Sequence, residues 1–137
     1  MIDASDDLVD VPIVLDGDVV VVRQTVRSFA QRAKLSLVDQ TKLVTAASEL
    51  ARNTLKYGGG GTARIAVVGH RQRAGIRASF ADTGPGIPDV ELALTDGWTS
   101  GSGLGLGLSG ARRLVDEFTL ETEVGQGTTV TIVKWAR

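Results

Sequence analysis

Two side chains that could act together on a metal ion and a proton, Glu49 and Asn53, lie four residues apart. In a helix this spacing places both on one face, with Arg52 and Lys56 alongside. The amide oxygen of Asn53 is a hard, neutral ligand suited to Mg²⁺, which completes its shell with water and phosphate oxygens. The carboxylate of Glu49 could orient or deprotonate an attacking hydroxyl or water. A solvated polar stripe explains the same residues, and the helix taken alone favours that plainer interpretation.

A second group begins with an acid at the end of a predicted strand, Asp82, and continues through the loop Thr83–Pro88, with the sequence TGPGIP. The loop contains Gly84 and Gly86, so its backbone can approach a flat ligand beside one fixed acceptor. The exocyclic amine of adenine needs such an acceptor. A tight turn accounts for the loop equally well, because Asp, Gly and Pro are the usual turn residues.

A third group is the glycine-rich segment Gly101–Gly107, with the sequence GSGLGLG, which leads into a predicted helix. Free N–H groups and the helix dipole make such a junction an anion site. Gly105–Gly110 matches the dinucleotide pattern G-x-G-x-x-G only formally, since no predicted strand precedes it. A P-loop is excluded because G-x-x-x-x-G-K-[ST] is absent from the sequence. Close helix packing at Gly103 and Gly107 is the alternative explanation.

The elements that must position these groups follow from hydrophobic period and capping residues. Val11–Leu15 is a predicted edge strand, since Pro12 argues against a central one. A first helix is capped by Asp18. A second helix over 37–57 starts at Ser36 and stops at the glycine run from Gly58. The core positions predicted for the first helix follow a 3.6-residue period: Val19, Val22, Val26, Phe29, Ala30 and Ala33.

The second half of the chain predicts two hairpins separated by helices. The first hairpin joins strands Thr62–Gly69 and Gly75–Asp82. A short helix is predicted over Asp89–Leu94, and a long one from Leu104 or Leu106 to Phe118. The second hairpin joins strands Leu120–Val124 and Thr128–Trp135. This order predicts an α/β fold, an α+β two-layer sandwich with a mixed, mostly antiparallel sheet and helices on one face.

Composition narrows the class of protein. The 137 residues carry 15 Lys plus Arg against 16 Asp plus Glu, a net charge of −1, which excludes the basic field of a nucleic-acid binder. No cysteine is present, so disulfides and thiolate metal sites are excluded. Neither a signal peptide nor a membrane span is recognisable, and the expected location is the cytoplasm, without a membrane partner. Residues 1–10 are predicted to be a flexible acidic tail and 11–137 a single domain.

Taken in order, the three groups and a late Gly-Thr pair resemble the GHKL superfamily, which includes gyrase, Hsp90, MutL, histidine kinases and anti-sigma-factor serine kinases. The motifs that carry the resemblance are Glu49-x-x-x-Asn53, Asp82-x-Gly84-x-Gly86, Gly103-x-Gly105-x-Gly107 and Gly127-Thr128. The resemblance implies the Bergerat fold, ATP with Mg²⁺, and a mobile lid over the phosphates.

Roles for individual residues follow from the same resemblance. Glu49 is expected to be the general base, Asn53 the Mg²⁺ ligand, and Asp82 the acceptor for the adenine amine. Thr128 is expected to support the adenine through Asp82 and water. The remaining expected ATP-binding positions are one lysine and members of the two glycine loops: Lys56, Gly84, Gly86, Ile87, Gly103, Leu104, Gly105, Leu106 and Gly107.

A narrower resemblance, from about Asp18 to Arg137, is to the stressosome switch serine kinases of the RsbT type. It rests on the segments SELARN at 48–53, DTGPGIPD at 82–89, GLGLGL at 103–108 and the pair Lys134-Trp135. It implies phosphorylation of a serine or threonine on a STAS-domain antagonist, departure from a stressosome scaffold, and activation of a PP2C-type phosphatase.

Departures from the larger superfamily members narrow the expectation further. Only Ile87–Ser102 separates the second glycine motif from the third, so the expected lid is short, and no transducer or phosphoacceptor-histidine domain is recognisable. A protein serine/threonine kinase is therefore the predicted function. The alternative is an anti-sigma factor or a binding module whose affinity ATP tunes. The presence of Glu49 beside Asn53 favours phosphoryl transfer, because a pure binder needs no base.

Overall fold

The computed structural model describes residues 8–70, 72–94 and 107–137. Within these ranges the chain forms strands and helices in the order that follows. The elements are β1 (Leu8–Ile13), α1 (Asp16–Arg32), α2 (Leu37–Lys56), β2 (Gly61–His70), β3 (Arg73–Asp82), α3 (Val90–Ala93), α4 (Gly107–Arg113), β4 (Glu117–Glu123) and β5 (Gly127–Trp135).

The described strands form one five-stranded sheet in the order β1-β2-β3-β5-β4. All four pairings are antiparallel, where the sequence predicts a mixed, mostly antiparallel sheet. The central strand β3 pairs with β2 on one side and β5 on the other, so Asp82 ends the middle strand opposite Gly61. This topology brings the acid at 82 and the start of β5 to the same edge.

One face of the sheet is covered by helices. Along β3 the residues Ile76, Ala78 and Phe80 are buried, whereas Arg77 and Ala81, at alternate positions, are exposed. Helices α1 and α2 pack against each other and against the strands on the buried side. The result is the two-layer α/β sandwich with helices on one face that the sequence predicts, and the fold class is confirmed.

The two long helices begin in different ways. In α1 the N-cap is Leu15, so the predicted cap at Asp18 is wrong by three residues. Asp18 instead accepts hydrogen bonds from the N–H groups of Leu15 and Val14, both at 2.9 Å, and these bonds hold its pKa below the ordinary value. In α2 the hydroxyl of Ser36 accepts from the N–H of Asp39 at 3.1 Å, as its capping motif predicts.

Two element boundaries differ from the sequence expectation. Strand β1 begins at Leu8, before the predicted start at Val11, and its Asp10 forms a cross-strand ion pair with Arg64 at 2.8 Å. The predicted long helix to Phe118 is wrong, because α4 ends at Arg113 and Phe118 lies in β4. There the residues of β4 pair with β5 along the whole strand. These pairings stabilise a strand at Phe118, where the hydrophobic period predicts a helix. The predicted start of this helix, at Leu104 or Leu106, lies outside the described residues.

A buried cluster of charges joins the start of α2 to the last strand. The ammonium of Lys134 lies 3.6 Å from a carboxylate oxygen of Asp39 and 3.7 Å from one of Asp116. The side chains are 7 %, 13 % and 18 % exposed respectively, so protein groups rather than water balance the lysine. The N–H of Trp135 donates to Asp116 at 2.8 Å, and Arg137 pairs with the same acid. The cluster fixes the N-terminal end of α2 on the sheet.

Candidate functional site

A cavity of about 550 Å³ lies between α2, the end of β3, the loop after it and the start of α4. Its floor is apolar and includes Leu50, Phe80 and Val130, which belong to the core. Its rim carries most of the predicted site residues in the described ranges: Glu49, Asn53, Lys56, Asp82, Gly86, Ile87, Gly107 and Thr128. Residues from three separate sequence motifs therefore meet around one space.

Some predicted positions do not line this cavity. Gly84 lies behind Asp82, where a Cβ on it would approach the Cα of Gly58 to 2.8 Å. The predicted phosphate-loop residues Gly103, Leu104, Gly105 and Leu106 lie outside the described residues, and only Gly107 of that loop is described.

Helix α2 supplies apolar side chains to the core and polar side chains to the cavity rim. Leu43, Ala47 and Leu50 are buried, and Leu50 also forms part of the cavity floor. The Glu49 side chain is 12 % exposed and receives a hydrogen bond from Arg52, with Nη1 and Oε1 2.8 Å apart. Arg52 is 53 % exposed, so the pair joins a shielded carboxylate to a guanidinium at the cavity edge. The arrangement presents an acid and an amide side by side.

At the other end of the cavity the carboxylate of Asp82 is held by backbone. Its Oδ1 accepts from the N–H of Gly84 at 2.9 Å and from that of Thr128 at 3.2 Å. Among the described residues no donor reaches Oδ2. The strand end therefore leaves one half-buried carboxylate oxygen available to an amine or N–H donor in the cavity.

The loop after β3 is tied to the β4–β5 turn. The N–H of Ile87 donates to the hydroxyl of Thr122 at 2.9 Å, and the N–H of Gly125 donates to the carbonyl of Pro85 at 2.8 Å. The hydroxyl of Thr122 also lies 2.8 Å from that of Thr128. Gly86 has φ +79°, a conformation that L side chains rarely adopt. The loop is thus a fixed wall of the cavity.

Several residues that line the cavity had no site role predicted from the sequence, among them Arg52, Tyr57 and Gly58. From the sequence, Gly58 is predicted only to end helix α2. In the structure a Cβ at this position would lie 2.5 Å from Oδ2 of Asp82. Tyr57 is 40 % exposed, and the ammonium of Lys56 lies 5.4 Å from its ring centroid. Their closeness to the motif on α2 is the one signal that could have marked them.

Residues 38–136 match a family described as histidine kinase-, DNA gyrase B- and HSP90-like ATPases. The chain belongs to this family. The resemblance expected from the sequence is confirmed, and an ATPase domain implies use of ATP. No helix in the described part of the chain is long and apolar enough to cross a membrane.

Individual relatives agree with this assignment. The chain is 42 % identical over 127 residues to the serine/threonine-protein kinase RsbT of Bacillus subtilis, covering 93 % of this chain and 96 % of that one. It is 29 % identical over 119 residues to an anti-sigma F factor of Geobacillus kaustophilus, covering 82 % and 80 %. The expected enzyme class, protein serine/threonine kinase, is confirmed by the first of these relatives.

A solved structure shows the same fold. This chain superposes on part of a solved structure of the RsbU and RsbW domains of a Mycobacterium tuberculosis protein, with a TM-score of 0.67 at 21 % identity. The match covers 95 % of this chain and 33 % of that longer chain.

Proposed function

We propose that this protein transfers the γ-phosphoryl group of ATP to a serine or threonine of a STAS-domain antagonist, leaves a stressosome-type scaffold, and then activates a PP2C-type phosphatase. The family supports the use of ATP, and the Bacillus subtilis relative is named a serine/threonine-protein kinase. The anti-sigma relative supports a setting in which regulatory proteins exchange partners. The STAS substrate and the phosphatase are carried by the resemblance alone.

The residues around the cavity suit the parts of ATP. The available oxygen of Asp82 fits the adenine amine, with Thr128 beside it, and the apolar floor fits the base. Asn53 is proposed as the protein ligand of Mg²⁺, which would neutralise charge on the phosphates when bound. A site of this kind needs few protein ligands, consistent with the absence of clustered metal-binding side chains in the described ranges. Lys56 is proposed to contact the phosphates.

The phosphate loop completes the proposed site. Gly103, Gly105 and Gly107, with Leu104 and Leu106 between them, are proposed to hold the phosphates through backbone N–H groups at the start of α4. Gly84, Gly86 and Ile87 are proposed to shape the base pocket, and Gly86 and Ile87 line the cavity.

The observation that favours transfer over binding alone is the position of Glu49. Its carboxylate is 12 % exposed and lines the same cavity as Asn53 and Asp82. In the proposed reaction the hydroxyl oxygen of the partner bonds to the γ-phosphorus while the bond to ADP breaks. The proton of the hydroxyl passes to Glu49, and ADP leaves with the bridging oxygen. A module that only binds ATP has no use for a base at this position.

The experiment that tests the proposal is Glu49→Gln, which keeps shape and hydrogen bonding but removes basicity. ATP should bind with near-normal affinity, while single-turnover transfer to a STAS partner from the same genome falls by about 10²–10⁴. Mass spectrometry of the partner gives the readout. Because phosphoryl transfer depends strongly on positioning and charge, a loss of about tenfold also fits a base at 49. Equal rates in mutant and wild type would remove Glu49 from the mechanism.

Glu121→Gln is the matched control, since Glu121 is an exposed glutamate on β4 that does not line the cavity. Its transfer rate should equal that of wild type.

A second candidate function, an anti-sigma factor or ATP-tuned binding module, is favoured by the 29 % identical anti-sigma F factor. Complex formation with a STAS, anti-sigma or phosphatase partner, without any phosphorylation by wild type, would establish that alternative.

A further inference from the structure

Gly58 touches the carboxylate of Asp82 from the side of helix α2. It is the first residue after the helix C-cap Tyr57, and its N–H donates to the carbonyl of Asn53 at 3.2 Å. The three heavy atoms nearest to a Cβ added at Gly58 all belong to the Asp82 side chain. Two of them, Cβ and Oδ2, would lie at 2.5 Å, far closer than real Cβ atoms approach other heavy atoms.

The carboxylate cannot move aside without loss. Its Oδ1 is fixed by the N–H groups of Gly84 and Thr128. A methyl at 58 would also lie 2.5 Å from the Asp82 Cβ, which no side-chain rotation moves, so clearing that methyl shifts Asp82 and breaks or bends both hydrogen bonds. Gly84 also limits any displacement of the Asp82 side chain, because the backbone of Gly84 lies against that of Gly58. A methyl group at 58 therefore has to displace Oδ2, the oxygen that no described residue engages.

The constraint at Gly58 is one of space and not of backbone conformation. The glycines with positive φ include Gly59 at +76° and Gly60 at +105°, whereas Gly58 is not among them. Alanine at 58 is thus compatible with the φ of that residue, and its cost arises from the contact with Asp82, whose Cβ and carboxylate must both shift. This separates Gly58 from the neighbouring glycines, whose replacement would strain the turn itself.

We propose that Gly58 is a positioning residue for base recognition: by carrying no side chain, it leaves Oδ2 of Asp82 where it can accept from the 6-amino group of adenine. The inference rests on the proposed ATP site. A carboxylate oxygen distinguishes adenine, which offers a donor at position 6, from guanine, which offers an acceptor there. Displacing Oδ2 should therefore weaken ATP binding and also reduce the preference for ATP over GTP.

The test is Gly58→Ala, with ATP and GTP affinities measured by calorimetry. ATP affinity should fall by about 10- to 100-fold, the loss expected for one hydrogen bond to a charged group. GTP affinity should change far less, so the ratio of ATP to GTP affinity falls. A merely structural defect would weaken both nucleotides alike, and an unchanged ratio overturns the proposal.

Gly69→Ala is the matched control, because Gly69 lies in a strand with no atom within 4 Å of an added Cβ and without a positive φ. It should keep the wild-type ratio of ATP to GTP affinity.

If Gly58→Ala does not fold, the double variant Gly58→Ala/Asp82→Gly removes the colliding side chain. Recovered folding would support the collision, and continued misfolding would overturn it. Wild type that binds no ATP would refute the proposed function itself, whereas ATP binding unaffected by Gly58→Ala refutes only this inference.

Discussion

Helix α2 carries charged side chains at both ends, and the burial and the partners of these side chains differ between the two ends. At the N-terminal end Asp39 faces Lys134 and Asp116, three side chains that are at most 18 % exposed, and the half-exposed Arg137 pairs with both acids. Toward the C-terminal end Glu49 pairs with Arg52, which is 53 % exposed, beside a cavity that Asn53 and Lys56 also line. One cluster is closed by protein groups, and the other opens onto a space large enough for a ligand.

This difference separates charges that hold the fold from charges available for chemistry. Removing one member of a buried ion pair leaves its partner without compensation, which is strongly destabilising. Removing one member of an exposed pair costs little, because water replaces it. The N-terminal cluster should therefore govern stability with little effect on nucleotide binding, and the cavity end should show the reverse.

The largest expected effect is that of Lys134→Ala. It leaves Asp39 and Asp116 with reduced compensation and should lower the free energy of unfolding by about 3–5 kcal/mol. Urea denaturation measures the loss, and the folded fraction should bind ATP with unchanged affinity. Lys42→Ala, at an exposed position of the same helix, is the control and should change stability by less than about 0.5 kcal/mol. A loss below about 1 kcal/mol for Lys134→Ala would show that the cluster does not hold the fold.

Next in size is Asp82→Asn, measured by calorimetry with ATP. Asparagine can keep an oxygen toward the N–H groups of Gly84 and Thr128, but it places a donor where Oδ2 was. The binding free energy should weaken by about 1.5–3 kcal/mol while the fold persists. Unchanged ATP affinity would show that adenine is not recognised at this carboxylate.

Asn53→Ala sharpens the comparison at the cavity end of α2. Loss of the amide oxygen should abolish the Mg²⁺-dependent increase in ATP affinity, because the proposed protein ligand is gone. The free energy of unfolding should change by about 0.5 kcal/mol or less, since the side chain is only partly buried. Titrations with Mg²⁺ and with a chelator measure the difference. Should Mg²⁺ strengthen ATP binding in the mutant as much as in wild type, another group must hold the metal.

The smallest expected effect is that of Arg52→Ala on stability. The pair with Glu49 is exposed on the arginine side, so its loss should lower the free energy of unfolding by about 0.2–1 kcal/mol. Urea denaturation at low and high salt measures it, and high salt should shrink the difference. A loss comparable to that of Lys134→Ala would break the distinction between the two ends of α2.

The parts of the fold that sequence predicts well are those with local signals. Helix α2 follows from the cap at Ser36 and its apolar period, and the β2–β3 hairpin follows from two apolar runs around a polar turn. The end of α4 could not be predicted this way, because the residues up to Phe118 also fit a helical period. Pairing of β4 with β5, a contact distant in sequence, decides the outcome.

The candidate site likewise contains residues that local sequence signals predict and contacts that such signals do not predict. Glu49, Asn53 and Asp82 are recognisable because motifs of fixed spacing contain them, and the structure brings them around one cavity. The contact between Gly58 and Asp82 joins residues on different elements and leaves no trace in local spacing. The roles assigned to the site residues stay predictions, and Gly103 and Gly105 also lie outside the described ranges.

The links between the loop after β3 and the β4–β5 turn also have a consequence for local opening. The N–H groups of Ile87, Gly125 and Thr128 all donate across this junction to acceptors in the facing segment. Opening the loop therefore requires these bonds to break together. In hydrogen–deuterium exchange the three amides should become labelled as one cooperative group, and a bound ligand should slow all three by a similar factor.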